Sequence, residues 1–362
     1  MMKNLRKKTG VLIIYLGLFT VQAFSNDSTG RIIKFGAFYF DGWSGTTFHI
    51  SKKLASNFLE RKPLNGWITS TQKNIDQQII QASNAGLSFF NFCWYYNGNS
   101  GSDIALNVRN NALQYYLNSP NKSKIGFSLL IANHKGYVIK KEHWPLLIDY
   151  WCKLFQNPSY LKVDGAPLIT FFDTYSLITT FKNSANVKVA FDQFKSRAAS
   201  LGISNIRLAI CVNNSDEIAL ATRCGFDIIT SYNNHASALL STRNRELPID
   251  KLITNDLHEW TRLLNETKKA VIPTITLNWD KRPWDSSGKI ESKHFVGYSQ
   301  ESVKRSVTSS VGWLNSNNNR MKDKIVFVYA WNEYGEGAWL TPSKKLGDQL
   351  LIGLRAGIEG QQ

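Results

Sequence analysis

The sequence predicts an α/β fold, a single closed (β/α)8 TIM barrel with a parallel eight-stranded core, and three observations carry that reading. Eight short apolar runs rich in Ile, Val, Phe and Tyr recur along the chain, amphipathic segments of helical period separate them, and the alternation ends on a helix. Near-continuous apolarity is what a parallel strand covered on both faces requires, because neither side of its pleat meets water. A doubly wound open sheet would place a glycine-rich phosphate loop after its first strand, and Phe38-Tyr39-Phe40-Asp41-Gly42-Trp43 offers none. Self-similarity at a short fixed period is absent, which sets aside solenoids and propellers.

Taken in order, the strands are expected at 32–40, 87–95, 124–132, 167–173, 206–212, 226–232, 271–277 and 324–330. The helices are expected at 75–85, 104–117, 144–155, 187–201, 217–223, 257–264, 303–314 and 346–358. The third helix shows the pattern most clearly, with Trp144, Leu147, Ile148, Trp151, Leu154 and Phe155 spaced by three and four residues along one face.

The chain has 362 residues, of which 43% are hydrophobic, 12% aromatic and 19% charged, a composition that excludes disorder, coiled coil and collagen. Lys3, Arg6, Lys7 and Lys8 precede an apolar run at 11–21, and Ala23-Phe24-Ser25 has the small-x-small form of a signal-peptidase site. Residues 1–25 therefore read as a signal peptide and 26–362 as the barrel domain, so that the mature chain is expected to be secreted or periplasmic. The apolar run falls short of the roughly 18 to 20 residues of a membrane span, and an uncleaved anchor is the competing reading. No Cys follows the small residues, which argues against a lipoprotein. Losing four basic residues lowers the formal charge from +16 to +12, enough to favour anionic ligands weakly. The charge is scattered rather than gathered into a run, so a nucleic-acid partner is not expected.

Cys93, Cys152, Cys211 and Cys224 match no zinc or redox spacing, and each lies in an apolar segment as a buried thiol would; if any pair bridged, Cys211 with Cys224 fits best. His49, His143, His258 and His294 lie in loop or helix contexts. No metal cluster, nucleophile elbow or phosphate loop is visible, and no metal or organic cofactor is expected.

In a barrel of this type the chemistry gathers where strands exit into the following loops. Those exits carry Tyr39 and Asp41; Trp94 and Tyr95; His134; Asp173 and Tyr175; Tyr232, Asn234 and His235; Trp279 and Trp284; and Trp331 with Asn332. Aromatic faces beside Asn, Asp and His suit a pyranose, which has an apolar C–H face and a rim of hydroxyls. Some of the aromatics, Phe38, Phe92 and Tyr95 in particular, read equally well as barrel filling. Glu333 and Glu336 give the sharpest signal, in Trp331-Asn332-Glu333-Tyr334-Gly335-Glu336-Gly337 directly after the last strand. Glycosidic cleavage uses two carboxyl groups, one kept protonated by its surroundings, and two glycines permit a turn that aims both at one ligand. As a bare pattern Glu-x-x-Glu is more often a solvated helix turn; its aromatic setting is what separates this case.

These residues resemble a known family. The segment from Val328 to Leu340 is similar to the Trp-Asn-Glu-Trp-x-Glu-Gly motif of glycoside hydrolase family 99 and the related WbsX-like proteins. Ala37-Phe38-Tyr39-Phe40, Phe172-Asp173-Thr174-Tyr175, the sixth strand and Arg282-Pro283-Trp284 resemble further segments of that family in the same order. The resemblance implies a retaining, endo-acting α-mannosidase-like hydrolase on a β/α barrel. It implies that Glu333 acts as base on the sugar 2-hydroxyl to give a 1,2-anhydro intermediate, and that Glu336 is general acid and then general base. It also implies that Tyr39 and Tyr232 line the cleaved-sugar subsite. The chain departs from the animal enzymes at Gly335, where they carry His, and at Tyr334, where they carry Trp. The WbsX-like branch also carries transferase labels. A glycosyltransferase of surface-polysaccharide assembly and a non-catalytic glycan-binding barrel are therefore the alternatives to a hydrolase acting on a glycan or polysaccharide, anionic ones included.

Overall fold

A computed structural model describes residues 33–99, 103–285 and 292–360. The expected signal peptide lies outside the described residues. The barrel strands are β1 (Ile33–Tyr39), β2 (Phe89–Trp94), β3 (Gly126–Ile131), β4 (Ala166–Phe171), β5 (Arg207–Cys211), β6 (Ile228–Thr230), β7 in two pieces (Ala270–Val271 and Thr274–Thr276) and β8 (Lys324–Tyr329). All neighbours pair in parallel, and β8 returns to β1, with Phe35 opposite Val326 and Ala37 opposite Val328. The first piece of β7 pairs with β6 and the second with β8, so the barrel closes across Ile272 and Pro273. Proline has no N–H for the ladder, and the interruption falls there; its carbonyl still accepts from Phe327 N–H at 3.0 Å.

Helices at Gln72–Asn84, Asn111–Asn118, Trp144–Phe155, Thr174–Phe181, Ser184–Ser200, Ser215–Cys224, Ile249–Glu266, Gln300–Ser316 and Gln349–Glu359 cover the outside. Several start on side-chain caps, as at Thr71, Asn183, Asn214 and Ser299, each accepting from a backbone N–H of the first turn. The expected helix at 104–117 begins only at Asn111. Asn110 instead turns its side chain onto the backbone of Tyr95 and Ala105, with three bonds of 2.8 Å that hold 104–107 as an irregular loop ahead of a single helical turn at Val108–Asn110.

Strand register divides the two faces of the sheet. Phe38, Asn91, Cys93, Thr170, Phe172, Cys211, Thr230, Tyr232, Phe327 and Tyr329 fall on the inner face, whereas Tyr39, Phe90, Phe92, Trp94 and Phe171 pack against helices. The four cysteines are buried free thiols, and Cys211 and Cys224 do not bridge. Among the described residues no helix is long and apolar enough to cross a membrane.

Candidate active site

β8 runs into a short hairpin, Asn332–Glu333 antiparallel to Ala338–Trp339. The Glu336 N–H donates to the Glu333 carbonyl at 3.2 Å, so both carboxylates spring from one tight turn. Gly337 stands there at φ 79°, a conformation that L side chains resist. Gly335 serves a different end: a Cβ at that position would sit 2.1 Å from the Trp284 ring, which lies directly on the turn.

Distant residues fix the hairpin. Asn332 brackets Phe40, accepting its N–H at 2.9 Å and donating to its carbonyl at 2.7 Å. Asn278 Nδ2 reaches the Gly337 carbonyl at 2.7 Å, and the Asp280 N–H reaches the Glu336 carbonyl at 2.6 Å. Arg61, almost fully buried, donates to the carbonyls of Asp280 and Tyr334 at 2.9 and 3.0 Å and pairs with the Asp280 carboxylate. Arg282 grips the same carboxylate from the other side, Nε to Oδ1 at 2.8 Å. Despite its burial, Asp280 is held below the usual carboxylate range by these two guanidinium groups.

Each carboxylate has its own phenol donor. Tyr232 Oη donates to Glu333 Oε1 at 2.7 Å, and Tyr329 Oη donates to Glu336 Oε2. The two tyrosine rings lie 4.9 Å apart, with Phe38 and Phe172 at 4.9 and 5.3 Å from Tyr232. Burial, then the neighbouring Glu336 charge, pushes Glu333 well above the carboxylate range, against the pull of the Tyr232 bond. Burial also raises Glu336, to about 7, opposed by the Tyr329 bond and by the Lys281 cation. Burial keeps both phenols protonated and available as donors. Two adjacent carboxyl groups that both resist ionisation hold one proton between them near neutrality, the condition for an acid and a base in one site.

The structure brings together Glu333, Glu336, Tyr232, Tyr95, His134, Trp279 and Trp284 around the barrel mouth. Tyr95 senses the Glu333 charge and packs on His134 at 6.0 Å. Trp279 stacks on His235 at 3.4 Å and lies 6.4 Å from Tyr329. Burial drops His235 to about 3, which keeps it neutral. Trp284 stays 37% exposed while touching the turn.

The expectation that Tyr39, Trp94 and Trp331 line the mouth is corrected, since they face the helical layer. Tyr39 faces the helical layer, donating to Gln78 Oε1 at 2.9 Å beside Phe90 and Phe92. Trp331 donates to the same Gln78 oxygen at 2.8 Å, and Trp94 packs on Tyr150 and Trp151 outside the barrel. Asp41, Asn234 and Asn332 are braces. Asp41 accepts from Ser70 Oγ and the Ala112 N–H at 3.0 and 2.6 Å, and Asn234 donates to Asp256 at 2.8 Å. Asp173 caps the helix at Thr174–Phe181 by accepting the Tyr175 N–H at 2.8 Å, and the Tyr175 side chain is 51% exposed.

Sequence reasoning missed Tyr329, Phe172, Cys93 and Lys281. Cys93 Sγ lies 3.8 Å from Tyr232 Oη, and burial with the Glu333 charge holds its thiol protonated. For the first three the signal was available: each lies two residues from another inner-face position, and the pleat repeats every second residue.

The fold is shared with solved glycosidases. Two structures of a glycoside hydrolase family 99 endo-alpha-mannosidase from Bacteroides thetaiotaomicron superpose with a TM-score of 0.59 each, covering 90% of this chain and 97% or 96% of theirs. The sequence identities are 15% and 14%, so this likeness concerns the barrel. The WxcX protein of Xanthomonas campestris pv. campestris (strain B100) is 23% identical over 207 residues, 55% of this chain and 28% of that protein. The chain thus spans under a third of that relative's length. The profile of the family described as Glycosyltransferase WbsX matches residues 65–353, and the chain belongs to that family.

Proposed function

We propose that the chain is a secreted or periplasmic glycoside hydrolase, retaining and endo-acting on an α-linked, mannoside-like glycan, with Glu336 as general acid/base and Glu333 as base on the sugar 2-hydroxyl. The observation that carries this reading is the buried carboxylate pair on one turn, each member with its own tyrosine donor and both resisting ionisation. In the first step Glu333 takes the 2-hydroxyl proton, O2 bonds to C1, and the leaving oxygen departs with the proton from Glu336. In the second, water gives a proton to Glu336 and bonds to C1, the C1–O2 bond opens, and O2 recovers its proton from Glu333. Substrate contacts decide which carboxyl carries the proton. A 2-hydroxyl donating to Glu333 stabilises its charged form, and a glycosidic oxygen accepting from Glu336 stabilises that acid, which is the required sense. Trp279, Trp284 and Tyr95 supply apolar faces for sugar rings.

The family description favours a second reading, a glycosyltransferase that passes a sugar to an acceptor glycan. Incubating the chain and Glu336→Gln with α-mannans, fucans and anionic glycans, with and without nucleotide sugars, and weighing the products separates the two. Fragments made only by the unmodified chain support the hydrolase. Products heavier by one sugar, dependent on a nucleotide donor, support the transferase. Glycans retained intact by both proteins point to a binding protein and overturn the catalytic role of Glu336.

A further inference from the structure

We propose that Arg109 builds an anion-binding subsite at the barrel mouth, and that the glycan it serves carries a carboxylate or sulfate close to the sugar that is cleaved. The inference rests on the glycan reading above and names the substrate class within it. Arg109 lies in a helical turn at Val108–Asn110 after β2, its N–H accepted by Asn107 Oδ1 at 3.0 Å and its neighbour Asn110 bolted to the backbone of Tyr95. The guanidinium packs between two aromatic rings, 5.3 Å from the centre of Tyr95 and 5.5 Å from that of Tyr137, and donates to Tyr137 Oη at 2.5 Å. It is half-buried and held in place before any ligand arrives.

What it lacks among the described residues is a carboxylate. Arg61, Arg207, Arg262 and Arg282, which are shielded as much or more, each hold one within 2.9 Å. Asp41, whose carboxyl feels the Arg109 charge, forms no ion pair with it and accepts instead from Ser70 and the Ala112 N–H, while Asp173 accepts from the Tyr175 N–H. The neighbouring His49 and His134 are held neutral by burial, with the Arg109 charge adding to it, so they contribute no counter-charge. Tyr95 joins this cation to the reacting groups, since its hydroxyl responds to both Glu333 and Arg109. A fixed, partly desolvated fork with no ion-pair partner among the described residues is poised for a planar or tetrahedral oxyanion.

The test measures binding of the Glu336→Gln chain, which removes turnover, to oligosaccharides from alginate and from a sulfated fucan, each beside its carboxyl-reduced or desulfated counterpart. The expected result is a preference of about 10- to 100-fold for one charged form, the range of a hydrogen bond to a charged group, shrinking as salt rises. Adding Arg109→Gln should bring the ratio near one, and Arg109→Lys should restore only part, because an ammonium lacks the fork. Thermal melting of both variants checks that they fold. Preference for the fucan assigns sulfate, and preference for the alginate assigns carboxylate. Equal affinity for charged and neutralised forms, a preference unchanged by Arg109→Gln, or no binding at all overturns the subsite. Charged glycans held through Arg109 yet never cleaved by the unmodified chain would keep the subsite and overturn the hydrolase.

Discussion

Lys281 offers a way to read the proton on the carboxylate pair. It is the cation beside Glu336, and its charge opposes the burial that lifts that carboxyl to about 7. An acid near a positive charge ionises more readily, so Lys281→Met must raise the pair's titration and never lower it. The productive form carries one proton on two carboxyls, which makes kcat/KM bell-shaped, with limbs that belong to the pair. Both carboxyls lie above the ordinary range, so the bell should centre above the usual carboxylate region, with activity lost as pH rises and the pair gives up its last proton. On the alkaline limb, above the pair's upper titration, the rate falls tenfold per pH unit. In Lys281→Met that limb should move to higher pH. The assay is kcat/KM from pH 4 to 10 on the cleaved glycan, at low and constant ionic strength because Lys281 is exposed and its field is screened by salt. Glu336→Gln in the same series should lose roughly 10² to 10⁴-fold on a natural leaving group. It should recover much of that with a glycosyl fluoride, which departs without a proton. A limb that stays put or moves to lower pH in Lys281→Met, or full activity in Glu336→Gln, would refute the assignment.

Arg61→Met should cost about 3 to 5 kcal/mol in urea unfolding, the penalty for stripping one partner from a buried pair, and a loss below about 1 would mean that Arg61 does not clamp the hairpin. Gly335→His places a Cβ where the Trp284 ring lies, so the ring must leave; KM should rise about tenfold, matching Trp284→Ala, and the two changes combined should cost no more than either alone. Because all four cysteines are buried free thiols, a thiol reagent should find none in the native chain and four after denaturation, while a Tm that drops on reduction would contradict the structure.

The barrel strands were legible to within a few residues because burial on both faces writes each of them as a short, largely apolar run. The helix expected from 104 failed for a reason that apolar periodicity cannot express. Its first turn would need the Asn110 side chain idle, and that side chain is spent on Tyr95 and Ala105. The Glu333 and Glu336 pair was legible because turn, glycines and carboxylates are contiguous. The clamp that aims it was not, since Arg61 lies 219 residues from Asp280 and 273 from Tyr334, and no local pattern announces such a meeting.

The misplacement of Tyr39 and Trp94 has one cause. Reading every residue at a strand exit as part of the mouth ignores that the pleat sends alternate side chains to opposite faces. At the end of β1, Phe38 takes the inner face and Tyr39 the outer; at the end of β2, Cys93 and Trp94 divide in the same way. Had Tyr232 been used to fix the inner parity, register would have carried it around the barrel to Phe38, Cys93, Phe172 and Tyr329. The alternation stops at the end of β8: Trp331, two residues beyond the inward Tyr329, donates to the same Gln78 oxygen that accepts from the outward Tyr39. These residues join β1, the β8 exit and the helix at Gln72–Asn84 behind the site rather than within it. Their expected influence on catalysis is therefore indirect: truncating Tyr39 should lower stability, with its effect on kcat/KM following that loss, whereas truncating Tyr232 should alter the pH profile at unchanged fold.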